Sequence, residues 1–205
     1  MSKLDLNQMD SMQYDVLKEI GNIGAGNATT ALSQMINSKV DMRVPKVELL
    51  GFSELPEIVG GAETIVVGIL VTLDGDVNGM MMFMMEKRCA RSMVDLLMGM
   101  HTDGEGDFDE MSLSALQEIG NIIAGAYLSS LSSLTGLVIT ESVPYLSIDM
   151  AGAILSVPAI EFGKLGDKAL LIQSQFLEDS KELDGYFILI PSLESYDKIL
   201  ASLGL

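Results

Sequence analysis

At 205 residues the chain is long enough to bury a substantial core, and because 48% of it is hydrophobic but only 5% aromatic, that core must be aliphatic. Twenty-nine acidic residues against 12 basic ones leave a formal net charge of -17, a surface that repels nucleic-acid phosphates and anionic lipid and favours a partner with a basic rim. One cysteine, Cys89, allows no internal disulfide, and no apolar run approaches the roughly 20 residues of a membrane helix, so a cytoplasmic protein is expected, binding neither nucleic acid nor membrane.

The opening stretch MSKLDLNQMDSMQYD has no apolar run of the kind a signal peptide carries. The periodicity over 12–36 predicts a helix. On it Asp15, Glu19, Asn22, Gly26 and Ser33 share one face, with Leu17, Ile20, Gly24, Ala28, Ala31 and Met35 opposite. Gly24, on the apolar side, predicts a close approach to whatever the helix packs on. Gly26 is placed outward. A glycine inside a helix costs about 1 kcal/mol relative to alanine, and an outward one suits a surface that another macromolecule's backbone must approach.

A strand is expected around Val44-Pro45, and VGILVTLDGDVNGMMMFMM (67–85) reads as two strands about an Asp74-Gly75 turn. The methionines of that run are core packing rather than a cofactor box, since Met fills irregular gaps. EKRCARSMVDLLMG predicts a helix ending near Gly99, with Cys89 a small buried hydrophobe on it. HTDGEGDFDE (101–110) reads as a polar, glycine-rich linker. Its His101, the only histidine, has no second imidazole or cysteine nearby and is a poor metal ligand.

Then the chain starts again. EIGNIGAG (19–26) returns as EIGNIIAG (118–125), 99 positions on, and the same offset carries Leu32-Ser33 to Leu131-Ser132 and Val44-Pro45 to Val143-Pro144. The second helix repeats the face with Ser114, Glu118, Asn121, Gly125 and Ser132, and sets Leu116, Ile119, Ile123 and Leu134 opposite. ALLIQSQFLEDSKELDGYFILI (169–190) and SLESYDKILASLG supply a second hairpin and helix, pairing Gly79 with Gly185 and Gly99 with Gly204. Neighbouring positions taken as surface differ between the copies (Thr29 against Leu128, Thr30 against Ser129), which makes the retained Glu and Asn the more telling. The expected fold is α+β: an internally duplicated, pseudo-twofold unit with a sheet of about six mostly antiparallel strands covered by helices. One domain is expected, built of repeats at about 1–100 and 110–205 joined by a linker at about 101–109.

GNIGAG is neither a dinucleotide fingerprint nor a P-loop, since its glycines run in the wrong order, no strand precedes it and no Lys-Ser/Thr follows. Glu and Asn form no covalent phosphoenzyme and bring no positive charge. An amide can nonetheless hold water in line with a phosphoryl group on a partner, and a glutamate beside it can pair with a partner's lysine.

The pattern Asp/Ser-x3-Glu-x2-Asn-x22-Pro, present as Asp15, Glu19, Asn22, Pro45 and again as Ser114, Glu118, Asn121, Pro144, resembles the signature of the CheC, FliY and CheX phosphatases of bacterial chemotaxis. The likeness spans essentially the whole chain and is nearest to the CheC type. FliY-type proteins add a C-terminal flagellar-switch domain, whereas this sequence ends at Leu205, and CheX-type proteins carry one motif per subunit. The resemblance implies a phosphatase acting on phosphorylated CheY, with Asn22 and Asn121 orienting the water and Glu19 and Glu118 contacting the regulator's lysine. It implies Mg²⁺ supplied by the regulator with no cofactor of the chain's own, and a second partner, CheD, that raises activity. A monomer or a heterodimer with CheD is expected. The alternative is a non-enzymatic adaptor that binds the regulator, as the related switch protein FliM is thought to; the Glu-x2-Asn pair argues against it.

Overall fold

A computed structural model of the chain describes residues 11–36, 41–100, 106–162, 168–178 and 181–205. In chain order the elements are α1 (Ser11–Ile36), β1 (Asp41–Gly51), α2 (Leu55–Ile58), β2 (Ile65–Gly75), β3 (Gly79–Glu86) and α3 (Lys87–Met98). The second copy follows as α4 (Glu110–Thr135), β4 (Ile139–Glu141), β5 (Tyr145–Met150), α5 (Ala151–Phe162), β6 (Lys168–Glu178), β7 (Lys181–Pro191) and α6 (Leu193–Ser202). His101 lies outside the described residues.

The strands form one seven-stranded sheet in the order β1-β6-β7-β3-β2-β4, with β5 also on β2, and every described pairing is antiparallel. The α+β class and antiparallel sheet agree with the sequence. The strand number exceeds the six expected because the first strand of the second copy is split by Val143-Pro144 into β4 and β5. Proline has no N–H for the ladder. At the matching place in the first copy, β1 stays continuous but its register slips between Arg43 and Lys46, around Pro45.

Each copy's first strand lies on the other copy's hairpin: β1 on β6, and β5 on β2. The two hairpins meet at β3–β7, where Met82 pairs with Ile188. The offset that carries Gly79 to Gly185 also carries Met82 to Ile188, so the pseudo-twofold axis passes through this pair.

Both sheet faces are covered, which explains the methionine run. On β3, Met81, Phe83 and Met85 enter a core beneath α1, α4 and α3, while Met80, Met82 and Met84 enter a second core under α2 and α5. A strand buried on both sides needs no polar alternation. The helix α3 ends as expected, on Gly99 at φ 64, and the C-terminal turn after α6 places Gly204 at φ 81. Cys89 on α3 is half-buried, and burial together with the nearby Glu86 raises its pKa. The sequence reading missed α2 and α5. The latter carries Pro158 inside it and lacks a polar face, so no helical period shows.

Candidate functional site

The two long helices lie side by side on the same face of the sheet, and what turns their motif residues outward is the burial of the opposite side. Leu17, Ile20 and Ala28 on α1, and Leu116, Ile119 and Ile123 on α4, are all in the core. Glycines set the distance. A Cβ on Gly21 would stand 3.3 Å from Ile172 of β6, and one on Gly120 would stand 2.5 Å from Ile69 of β2, so this glycine lets each helix rest on the first strand of a hairpin. The sequence reading gave a packing role to Gly24 alone. Gly24 has that role too, but against α4: a Cβ there would meet the ring of Tyr127.

Asp15, Glu19, Asn22 and Gly26 are exposed together on α1, and Ser114, Glu118 and Asn121 are exposed together on α4. Glu and Asn three positions apart on a helix are surface neighbours. Ser33 and Ser132, expected outward, are half-buried at the far ends of their helices. Ser114 spends its hydroxyl on the Glu110 carbonyl at 2.9 Å, an in-helix bond that fixes the side chain at the start of the face.

Three expectations are corrected here. Leu128 is 4% exposed, a core residue and not a surface one, because α4 is wedged between the sheet and α1 and so buries a wide arc. The contrast of Thr29 with Leu128 is therefore a packing difference. Leu134, placed on the buried side, is 41% exposed near the end of α4. Gly125, expected to be as open as Gly26, is half-buried. Nothing lies within 4 Å of a Cβ on Gly26, whereas Glu141 Oε1 is 3.5 Å from a Cβ on Gly125.

Glu141 comes from β4, opposite Leu73 on β2, and is brought over α4 by the sheet. Half-burial raises the pKa of its carboxyl. With Ser142, Val143 and Pro144 it forms the far wall of a groove of about 540 Å³ whose near wall is Ser114, Gln117, Glu118 and Asn121. Pro144, the last residue of the spaced motif, thus faces the first three across open space. Val143 is 86% exposed and leaves an apolar lip. Side chains of 41–45, which match 140–144 by the 99-residue offset, lie outside the described residues, Pro45 among them. Among the described residues no basic side chain lines the groove on α4.

The N-terminus of α4 is pinned by a buried cation. Asp109 caps the helix, accepting from the Ser112 N–H at 2.8 Å. Arg91 of α3, 6% exposed, pairs with Asp95 at 3.0 Å and donates to the Asp107 carbonyl and to Ser112 Oγ, both at 3.3 Å. The end of the expected linker is therefore tied down at 106–109. Among the described residues no three His, Cys, Asp or Glu side chains gather as a metal-binding group, and the face residues are too few for a Mg²⁺ cage. An apolar cavity of about 20 Å³ in the core, lined by Leu17, Ile20, Tyr127 and Phe187 among others, has room for a single water and no ligand.

The CheC-like family matches residues 12–49, and the chemotaxis phosphatase CheX family matches residues 67–159. The CheY-P phosphatase CheC of Bacillus subtilis (strain 168) is 38% identical over 202 residues, 97% of each chain. The chain belongs to the CheC-like family. Its fold is that of Thermotoga maritima FliY, whose crystal structure superposes with a TM-score of 0.77 at 23% identity, covering 96% of this chain and 98% of that one. A CheX–CheY–BeF3–Mg²⁺ complex from Borrelia burgdorferi is similar more loosely, with a TM-score of 0.50 at 20% identity over 84% of this chain and 96% of that one. Glu141, which lines the groove, was not among the residues singled out from the sequence. Its only trace is an inequality between the copies, since the 99-residue offset puts Met42 in its place.

Proposed function

We propose that the protein is an aspartyl-phosphate phosphatase that dephosphorylates phosphorylated CheY at two sites, one on α1 and one on α4. The observation that carries this reading is the exposure of a Glu and an Asn, one helical turn apart, on both copies of one face. A pure adaptor would have no use for two amides held so. The full-length likeness to a CheY-P phosphatase supports the substrate.

The chain's own groups act by position. Asn22 and Asn121 hold a water through one acceptor and one donor atom of the amide, in line with the phosphorus–oxygen bond to be broken. Glu19 and Glu118 pair with the lysine of the regulator's site and set the register of docking. Mg²⁺ arrives with the regulator and neutralises phosphoryl charge there. Among the described residues no three metal-ligating side chains gather, and the B. burgdorferi complex contains CheY together with Mg²⁺. We place the protein in the cytoplasm, where CheD is its second partner and raises its activity. Among the described residues no helix is long and apolar enough to cross a membrane.

The test is phosphate release from phosphorylated CheY. Asn22→Ala and Asn121→Ala should each leave the other site working, and the double substitution should remove nearly all acceleration, about a hundredfold or more, in a folded protein that still binds CheY. Full activity in the double variant would overturn the reading.

A further inference from the structure

Besides Asp15 against Ser114, the two faces differ over their outer glycines, and that difference is chemical. Over Gly26 the space is open, while over Gly125 lies the Glu141 carboxylate, with Oε1 3.5 Å from where a Cβ would stand. A Cβ at Gly125 would touch that oxygen at an ordinary contact distance, so the carboxylate lies directly over the helix. Its other oxygen, Oε2, is buried and accepts no hydrogen bond. A buried acceptor without a donor is costly, and the described residues make no use of this one. The pairing of Glu141 with Leu73 sets its backbone at the wall of the groove.

The groove says what would complete it. Among the described residues its charged groups are Glu118 on one wall and Glu141 on the other, with no lysine or arginine between them. In a chain of net charge -17 this is a place for a cation from outside. At the 99-residue offset the first copy has Met42, which has no charge to offer.

We propose that Glu141 is a docking residue peculiar to the second site, whose carboxylate, bordering the groove, accepts from a cationic side chain, ammonium or guanidinium, at the rim of the regulator's phosphoryl site. This rests on the reading of α4 as a site for phosphorylated CheY. The two sites then dock differently: the second adds a carboxylate from the sheet, Glu141, to Glu118, whereas the first carries Asp15 beside Glu19 on the helix itself and Met42 at the matching sheet position. Because Glu141 acts on docking and not on the water, its loss is felt in KM and not in kcat.

The test isolates the second site in an Asn22→Ala protein. There Glu141→Gln should raise KM for phosphorylated CheY by about three- to tenfold, leave kcat within about twofold, and make KM less sensitive to salt. Glu141→Met, which installs the first copy's residue, should do the same. In an Asn121→Ala protein, where α1 alone turns over, neither change should move KM. Binding of beryllofluoride-loaded CheY, measured with the α1 face blocked by Glu19→Lys, should weaken in parallel. An unchanged KM in the Asn22→Ala protein overturns the proposal. So does an equal rise in both backgrounds, which marks repacking, or a fall in kcat at constant KM, which marks a part in the chemistry. If neither background hydrolyses phosphorylated CheY, the phosphatase reading fails, and the binding measurement still decides for or against Glu141.

Discussion

Gly24 on α1 lies against the ring of Tyr127 on α4, so close that a Cβ would come within 2.5 Å of the ring. The ring has no room to retreat. It stacks on Phe187 at 4.2 Å, and its hydroxyl is 3.3 Å from Ser174 Oγ. The 99-residue offset carries Gly24 to Ile123 and Ala28 to Tyr127, so one helix supplies the small residues and the other the large ones. Gly24→Ala should therefore destabilise the protein by about 1–3 kcal/mol, overpacking outweighing the gain in helix propensity. Gly26→Ala, two residues along and open to solvent, should stabilise it by up to about 1 kcal/mol. Urea titration of both variants gives the two signs directly.

Arginine at the outer glycines tests docking without touching the core. Gly26→Arg should keep the melting temperature within a few degrees while weakening binding of phosphorylated CheY at α1 by about tenfold or more. Gly125→Arg should also fold, since its Cβ meets only Glu141 Oε1 at an ordinary contact distance, and the new guanidinium can pair with that carboxylate. Calorimetry of regulator binding, one glycine at a time, measures each site. An unfolded Gly26→Arg protein would mean that this glycine faces the core.

Alkaline titration should expose Tyr127. Burial pushes its hydroxyl from the ordinary value of 10 up to about 12, with the Ser174 contact opposing weakly. Below pH 10 the hydroxyl is protonated in folded and unfolded chains alike. Between pH 10 and 12 the unfolded chain gives up the proton first, so stability falls as pH rises, by about 2–3 kcal/mol in all. Tyr127→Phe should flatten that fall. Tyr186 and Tyr196, also raised by burial, should leave a residual slope. Chemical denaturation at pH 9 and pH 11.5 reads the difference.

Removing the cation that pins α4 should be far worse than removing the pair. Arg91→Met leaves the buried Asp95 carboxylate without its ion-pair partner and should cost about 3–5 kcal/mol. Arg91→Met with Asp95→Leu should recover a good part of that. Denaturant midpoints of the two variants and the parent decide it, and equal losses would mean that the hydrogen bonds to Asp107 and Ser112 matter more than the charge.

Much of this was legible because strong periodicities carry it. The three-residue step from Glu19 to Asn22, set against Leu17 and Ile20, placed the face correctly on both helices. The Asp74-Gly75 turn marked the end of β2, whereas in the second hairpin β7 begins at Lys181 and Gly185 lies inside it. What stayed hidden depends on the third dimension. Leu128 is a core residue only because a second helix lies on α4, and a helix buried on two sides blurs its own apolar stripe. The splitting of β4 from β5 follows from Pro144, yet the equivalent Pro45 is absorbed as a register shift within one strand. Glu141 reads as one more acidic residue in an acidic chain until the sheet sets it over Gly125.

The exchange of first strands between the copies bears on how the chain is made. As synthesis passes Met98, the first copy is complete in sequence, but β1 has no neighbour, for Leu50 must wait for Ala169 and Asp41 for Leu177. The hairpin β2–β3 likewise waits on one side for Tyr145–Met150 and on the other for Gly185–Pro191. A nascent chain halted near the linker is thus a set of unmated, strongly apolar edges. Closure of the sheet must come late, when β6 and β7 have left the ribosome, and the two sites come into being together or not at all.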